Sequence, residues 1–187
     1  MSQVPTSADS HDDLQPFRRG LAALNELQRR GASWSGYERN CCFLNTTGQR
    51  FANVSSISGF DFVDDARAVA VVDWNTDGAL DLWVTNRTAP RVRVLQNQPH
   101  AMNHWIAFRL EGTACNRDAI GARVELHVPN QPPLVATLRA GSGYLSQASK
   151  RVHMGLGQHA DPIDIVVYWP DGETAKYTKL DPDATYA

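Results

Sequence analysis

The apolar residues Leu14, Phe17, Leu21, Leu24 and Leu27 recur at spacings of three and four. That period lays them along one face of an α-helix over Leu14–Arg30. Pro16 suits a first helical turn, and Gly31 sits just past the last periodic residue, where glycine commonly ends a helix. After Ser33 the period shortens. Short apolar runs alternate with turn residues at the spacing of all-β domains. Cys42–Asn45 and Arg50–Val54 flank Thr46-Thr47-Gly48, which predicts a hairpin. Ala68–Trp74 and Ala79–Thr85 flank a tight acidic turn, and Arg91–Leu95 adds a further strand. Then come Trp105–Glu111, Ala122–Val128, Leu134–Ala140, Val152–Leu156, Ile163–Trp169 and Thr174–Thr178. The last two are joined by Pro170-Asp171-Gly172-Glu173, a strong hairpin signal.

The pattern breaks near Gln96–Met102, around Asn97, Pro99 and Asn103. The chain therefore divides into a polar, acidic lead-in (1–13), a helix (14–31), a first β unit (33–98) and a second β unit (103–180). The expected fold class is mainly β with one N-terminal helix.

The richest stretch chemically is Asp73-Trp74-Asn75-Thr76-Asp77-Gly78-Ala79-Leu80-Asp81. Hard cations such as calcium take about six to eight oxygen ligands. Side chains at 73, 75 and 77 converge if the chain curls round a point, and Gly78 permits the sharp turn that follows. The Ala79 carbonyl then faces inward and Asp81 closes the shell. Carboxylates gathered this closely repel one another unless a cation neutralises them. A helix–loop–helix calcium site would need flanking helices and an acid at its twelfth position. That position is Val84, and the flanks Val69–Val72 and Leu80–Val84 are strand-like, so the loop joins two strands. Magnesium fits less well, because it retains water and demands octahedral geometry. The alternative is a solvated acidic turn without metal.

Composition adds little. The chain has 187 residues, 42% hydrophobic and 20% charged, with a net charge of -2. That is ordinary globular material, with no charge block to draw nucleic acid or an anionic membrane. No apolar run approaches the roughly 20 residues of a membrane span, and Met1–Asp13 has no secretory pattern. Read literally, the location is cytoplasmic; a processed or truncated chain would point to an extracellular or periplasmic one. Cys41, Cys42 and Cys115 are an odd set with two adjacent, which reads as reduced thiols rather than a disulfide framework.

Four further motifs follow the acidic loop in order. They are Asn116-Arg117-Asp118-Ala119-Ile120-Gly121-Ala122-Arg123, Gly141-Ser142-Gly143-Tyr144-Leu145-Ser146, His153-Met154-Gly155-Leu156-Gly157 and Val167-Tyr168-Trp169-Pro170-Asp171-Gly172. Together they resemble the ASPIC/UnbV domain, found also in relatives of cartilage acidic protein. The acidic loop resembles the VCBS/FG-GAP repeats of integrin-type propellers. The resemblance spans roughly Ser33 to Thr178. It implies a partial propeller blade carrying calcium on Asp73, Asn75, Asp77, the Ala79 carbonyl and Asp81, packed on a β-sandwich-like unit. It implies no defined reaction. A propeller ring needs roughly four blades, and the strand material here makes about one and a half. The leftover strands need a cover. The expectation is packing on the C-terminal β unit or on a second copy through open sheet edges, with the helix covering part of that surface.

The leading functional expectation is a calcium-stabilised module that interacts with a protein or ligand. An enzyme is the second reading, with a site near Arg117, Asp118, Arg139 and Tyr144. A carbohydrate binder is the third, supported by an exposed Trp74 or Tyr144; Trp83, Trp105 and Trp169 lie in strands and read as core, and Trp34 completes the aromatic set. Asn116, Arg117, Asp118 and Gly121 read as an ordered turn with Asx caps, and Gly141-Ser142-Gly143 as a tight turn or bulge. The histidines are His11, His100, His104, His127, His153 and His159. His100 and His104 are four apart, but in a stretch with proline and asparagine rather than on a helix. A zinc or copper site would need the cysteines as well.

Overall fold

The computed structural model describes residues 14–32, 38–46, 48–99, 103–129 and 131–187. The lead-in 1–13, Thr47 of the hairpin turn, Trp34, His11 and His100 lie outside the described residues. The described chain is one helix, α1 (Leu14–Arg29), followed by twelve strands: β1 (Phe43–Thr46), β2 (Arg50–Asn53), β3 (Ala66–Val72), β4 (Asp81–Asn86), β5 (Val92–Leu95), β6 (His104–Phe108), β7 (Arg123–His127), β8 (Leu134–Thr137), β9 (Val152–Gly157), β10 (Ile163–Tyr168), β11 (Thr174–Leu180) and β12 (Ala184–Tyr186). The mainly β fold with a single N-terminal helix is as expected. No described helix is long and apolar enough to cross a membrane.

The contacts divide the chain into two units, Met1–Ala66 with Asn86–Arg91, and Arg67–Thr85 with Val92–Ala187.

The first unit holds α1 and the β1–β2 hairpin. The helix ends as its sequence predicts. Gly31 adopts φ 85°, the Ala32 N–H reaches the Leu27 carbonyl at 3.0 Å, and the Gly31 N–H reaches Gln28 at 3.0 Å. These two bonds satisfy carbonyls that the last turn leaves open. The expected burial of the stripe is not found: Phe17, Leu21, Leu24 and Leu27 are exposed, and no residue of α1 is buried. Helix periodicity reports a face capable of burial, not the presence of a partner for it. The hairpin pairs Phe43↔Asn53 through Thr46↔Arg50, and the Asn45 side chain accepts the Gly48 N–H at 3.0 Å. Cys41, Cys42 and Cys115 are free thiols.

The second unit contains three sheets, ordered β3-β4-β5, β12-β6-β9 and β11-β10-β7-β8. Its core obeys the two-residue period of strands. Ile106 and Phe108 of β6, and Val152, Met154 and Leu156 of β9, meet Val124 and Leu126 of β7 and Ile163, Ile165 and Val167 of β10. Every one of these side chains is buried, and each contributes about 1.5–3 kcal/mol through removal from water. The predicted β10–β11 turn is present: Trp169 and Glu173 close it at 2.8 Å, and Asp171 accepts the Glu173 N–H at 3.1 Å. The Asn116 loop is the Asx-capped turn expected. The Asn116 side chain accepts the Ile120 N–H at 2.7 Å and donates to the Ile120 carbonyl at 2.9 Å.

β12 has no counterpart in the sequence reading. It pairs in parallel with β6, Ala184↔Ile106 through Tyr186↔Phe108, and so adds an edge to the sheet that also holds β9.

Candidate functional site

The acidic loop connects β3 to β4. β3 ends at Val72, where its apolar run gives way to Asp73, and β4 begins at Asp81. Between them the backbone folds over its own carboxylates. Asp73 accepts the N–H of Asp77 on Oδ1 and that of Gly78 on Oδ2, both at 3.1 Å. Asp77 accepts the Ala79 N–H on Oδ1 at 2.8 Å and the Asn75 amide on Oδ2 at 2.6 Å. Asp81 accepts the Trp74 N–H on Oδ2 at 3.1 Å and the Asn97 N–H on Oδ1 at 2.8 Å. Two residues take left-handed backbone here, Thr76 at φ 60° and Gly78 at φ 86°. For a β-branched residue such as Thr76 that conformation is strained.

Asp73 and Asp81 are buried, at 8% and 1% exposure, and Asp77 is half-buried. Among the described residues no Lys or Arg side chain is ion-paired with any of the three. Hydrogen bonds from N–H groups partly offset the cost of burying these charges.

The residues suit a hard cation in donor type. Carboxylates, one amide and one carbonyl are oxygen donors, and a carboxylate oxygen that accepts one N–H keeps another lone pair. They are not drawn together as a finished cage. Among the described residues no group of three or more His, Cys, Asp or Glu side chains is arranged to hold a metal ion. The loop thus has a fitting donor set whose oxygens are turned onto its own backbone amides.

The loop also touches His153 and Trp105, which the sequence places in a later motif and in a strand core without connecting either to the loop. His153 of β9 lies with Nε2 3.0 Å from the Gly78 carbonyl. A carbonyl only accepts, so Nε2 carries the hydrogen. The imidazole stacks on the Trp105 indole, with centroids 5.4 Å apart and planes 7° from parallel. Trp105 in turn fills the space beside Gly78, where a Cβ would fall inside the indole ring. Burial lowers the pKa of His153 from its ordinary 6.5, against the upward pull of the Gly78 carbonyl and Asp73 and with a smaller downward push from Arg151. The pairing of β6 with β9 accounts for this contact. Trp105 lies opposite Gly155 and Ala107 opposite His153, so Trp105 and His153 are diagonal neighbours on one face of the sheet. Val152, Met154 and Leu156 point to the core, which turns His153 to the other face. A signal was available in that alternation, but only once the strand register is known.

A second histidine stands nearby. His104 Nδ1 is 2.7 Å from Asp183 Oδ2, while Asp183 Oδ1 accepts the Trp105 N–H at 3.2 Å. Thr76, Asp77, Asn103, His104, Trp105 and Asp183 line a cleft of 330 Å³.

Among the described residues, Asp118 and Arg139, expected together at an enzyme site, line different clefts. Asp118 pairs with Lys150 and lines a 410 Å³ cleft with Arg109 and Arg151. Arg139 lines a different one of 380 Å³, Arg117 pairs with Glu111 at 3.0 Å, and Tyr144 is 74% exposed. Of the tryptophans, Trp74 is 65% exposed and leans on Trp83 at 4.7 Å, whereas Trp169 packs against the core.

Comparison with known proteins gives a family match in the C-terminal part of the chain. None of the curated proteins matches. Residues 112–187, from the loop before β7 to the C-terminal β12, match the family described as ASPIC and UnbV.

Proposed function

We propose that this chain is a calcium-binding β module for interaction with a protein or ligand, in which calcium is structural. Asp73, Asn75, Asp77, the Ala79 carbonyl and Asp81 would hold the ion, and its chemistry there is charge neutralisation. The observation that carries the reading is the burial of Asp73 and Asp81 without a Lys or Arg ion-paired to them among the described residues. A buried carboxylate with no counter-charge is costly, and a divalent cation at this loop removes the cost. The loop's spacing supports reading it as a VCBS/FG-GAP-type repeat of the kind joined to ASPIC/UnbV domains in relatives of cartilage acidic protein. Trp74, exposed within the loop, is the side chain best placed to meet a partner once the loop is rigid.

Thermal unfolding in calcium, magnesium, zinc and chelator, with metal analysis of the purified chain, tests this. Linkage predicts stabilisation of about 2.7 kcal/mol when free calcium is about a hundred times its dissociation constant. The expected result is a calcium-specific rise in melting temperature, with bound calcium in the purified protein. Equal melting temperatures in all four conditions overturn the reading.

A further inference from the structure

We propose that α1 is a membrane-surface helix: its exposed apolar stripe enters the interface of an anionic lipid bilayer, and the arginines beside the stripe meet the headgroups. This goes beyond the calcium reading and does not depend on it. The helix lies on the bilayer and does not cross it, being neither long nor apolar enough to span.

The sequence sets two faces. At about 100° per residue, Leu14, Phe17, Leu21, Leu24 and Leu27 fall on one side of the helix. Arg18 and Arg29 border this stripe along one edge, Arg19 stands on the other flank, and Gln15 and Glu26 lie between them on the far side. The stripe is uncovered: Phe17, Leu21, Leu24 and Leu27 are between 43% and 54% exposed, and every residue from Gln15 to Leu27 is exposed. Where α1 meets the rest of its unit it uses other residues, since Asn25, Gln28 and Arg29 line a 610 Å³ cleft together with Val63, Asp65 and Arg91. A helix of 16 residues is marginal in water without packing, and Gly20 in its interior weakens it further. The stripe therefore calls for a cover.

Charge decides which cover fits. Leu14–Arg30 carries four arginines against one glutamate, a net +3, in a chain of net -2. Glu26 pairs with Arg30 at 3.0 Å and lies 4.0 Å from Arg29, while Arg18 and Arg19 have no ion pair among the described residues. A basic polar face opposite Phe and Leu is the pattern of helices that lie in a bilayer interface. Each basic residue at an anionic surface raises partitioning about fivefold. A second copy of the chain fits less well. A standard protein interface takes about 20–30 residues from each side; the stripe supplies only Leu14, Phe17, Leu21, Leu24 and Leu27, and the same stripe on a second copy brings the same positive charge.

The test is sedimentation of the full chain with lipid vesicles, in chelator so that the outcome does not depend on the acidic loop. Vesicles of phosphatidylcholine alone are compared with vesicles of equal parts phosphatidylcholine and phosphatidylglycerol. The wild-type chain is expected to bind the anionic vesicles, to bind the neutral ones far more weakly, and to be released by salt. The double variant Arg18→Gln with Arg19→Gln is expected to bind anionic vesicles about 25-fold more weakly, and Leu21→Gln about tenfold more weakly. All three positions are exposed and outside the core, and glutamine is a good helix former. Circular dichroism of both variants is therefore expected to match wild type before lipid is added. A wild-type chain that fails to bind anionic vesicles overturns the proposal, as does binding that either variant leaves unchanged. A chain that ignores lipid but dimerises in analytical ultracentrifugation, with the dimer lost in Leu21→Gln, also overturns it and assigns the stripe to a second copy. These results leave the calcium reading standing, because its failure shows separately, as the absence of calcium-dependent stabilisation.

Discussion

His153 donates from Nε2 to the carbonyl of Gly78 across 3.0 Å, joining strand β9 to a loop 75 residues earlier in the chain. The bond needs a neutral ring no more than a charged one, but burial disfavours the charge, and the pKa of the folded state lies below 6.5. As pH falls, the unfolded chain therefore takes up this proton before the folded chain does. Stability is at its full value above about pH 6.5 and declines as pH drops from there toward the lowered folded value. Denaturant unfolding across about pH 5 to 8 measures the slope. The expected outcome is a decline on the acid side that His153→Gln flattens; identical slopes in the two proteins would refute it.

Gly78 answers to two constraints at once. Its φ of 86° suits glycine, and its missing side chain makes room for Trp105. Gly78→Ala is expected to cost about 2–5 kcal/mol, combining left-handed backbone strain with overpacking. Gly157 separates the two effects, because it has φ 61° but open space where a Cβ would go. Gly157→Ala is expected to lose only the backbone part, about 1–2 kcal/mol. Chemical denaturation of both variants gives the comparison, and equal losses would remove Trp105 from the account.

Asp77 separates a metal loop from a plain acidic turn. Without metal, Asp77→Ala loses the bond to the Ala79 N–H and the one from Asn75. These are partly exposed and together worth about 1–2 kcal/mol. With calcium the same change also removes a ligand. The fall in melting temperature is therefore expected to be larger in calcium than in chelator. Equal falls would show that the carboxylate serves only its own turn.

Strands β7, β9 and β10 were legible because each buries alternate residues, a pattern visible one segment at a time. The turns at Asn116 and Pro170–Glu173 were legible because their side chains bond to backbone only a few residues away. What was not legible depends on distant pairing. β12 is three residues long and exists as a strand through its partner β6, far earlier in the chain. Trp105 and His153 read separately as a core residue and an isolated histidine, and only the β6–β9 register makes them neighbours. The exposed stripe of α1 has the converse lesson: its period predicted the helix correctly but carried no information about a covering partner.

A local irregularity in the last hairpin allows a second test by pH. The β10–β11 register shifts between Ile163 and Ile165, and Lys179 opposite takes φ 56°. Asp164 caps this bulge by accepting the Lys179 N–H at 3.2 Å. That backbone bond is the main reason the Asp164 carboxyl lies below its ordinary 3.8; desolvation is the next largest effect and opposes it, and the Lys176 ammonium and the Lys179 charge add smaller downward pulls. Its contribution to stability is present above about pH 4 and is lost as pH falls through the lowered folded value. NMR titration of the side-chain carboxyl is expected to place it below 3.8 in the wild type and still below it in Lys176→Met. A return to the ordinary value in Lys176→Met would assign the effect to the ion pair instead.

Tyr186 shows how strand β12 is retained at the edge of its sheet. Its ring stacks on Phe108 at 6.2 Å, its carbonyl accepts the Arg109 N–H at 2.8 Å, and its hydroxyl accepts the Asp181 N–H at 2.8 Å while donating to the Asp181 carbonyl at 3.2 Å. The ring packs against the main core, so Tyr186→Ala is expected to cost about 3–4 kcal/mol, the lower part of the range for losing an aromatic side chain. Tyr186→Phe keeps the stacking and loses only the hydroxyl bonds, at about 1 kcal/mol. If Tyr186→Phe is as damaging as Tyr186→Ala in denaturant unfolding, the turn at Asp181 rather than the aromatic contact holds β12. If the losses fall in the expected order, apolar contact with Phe108 is what makes three residues into a strand.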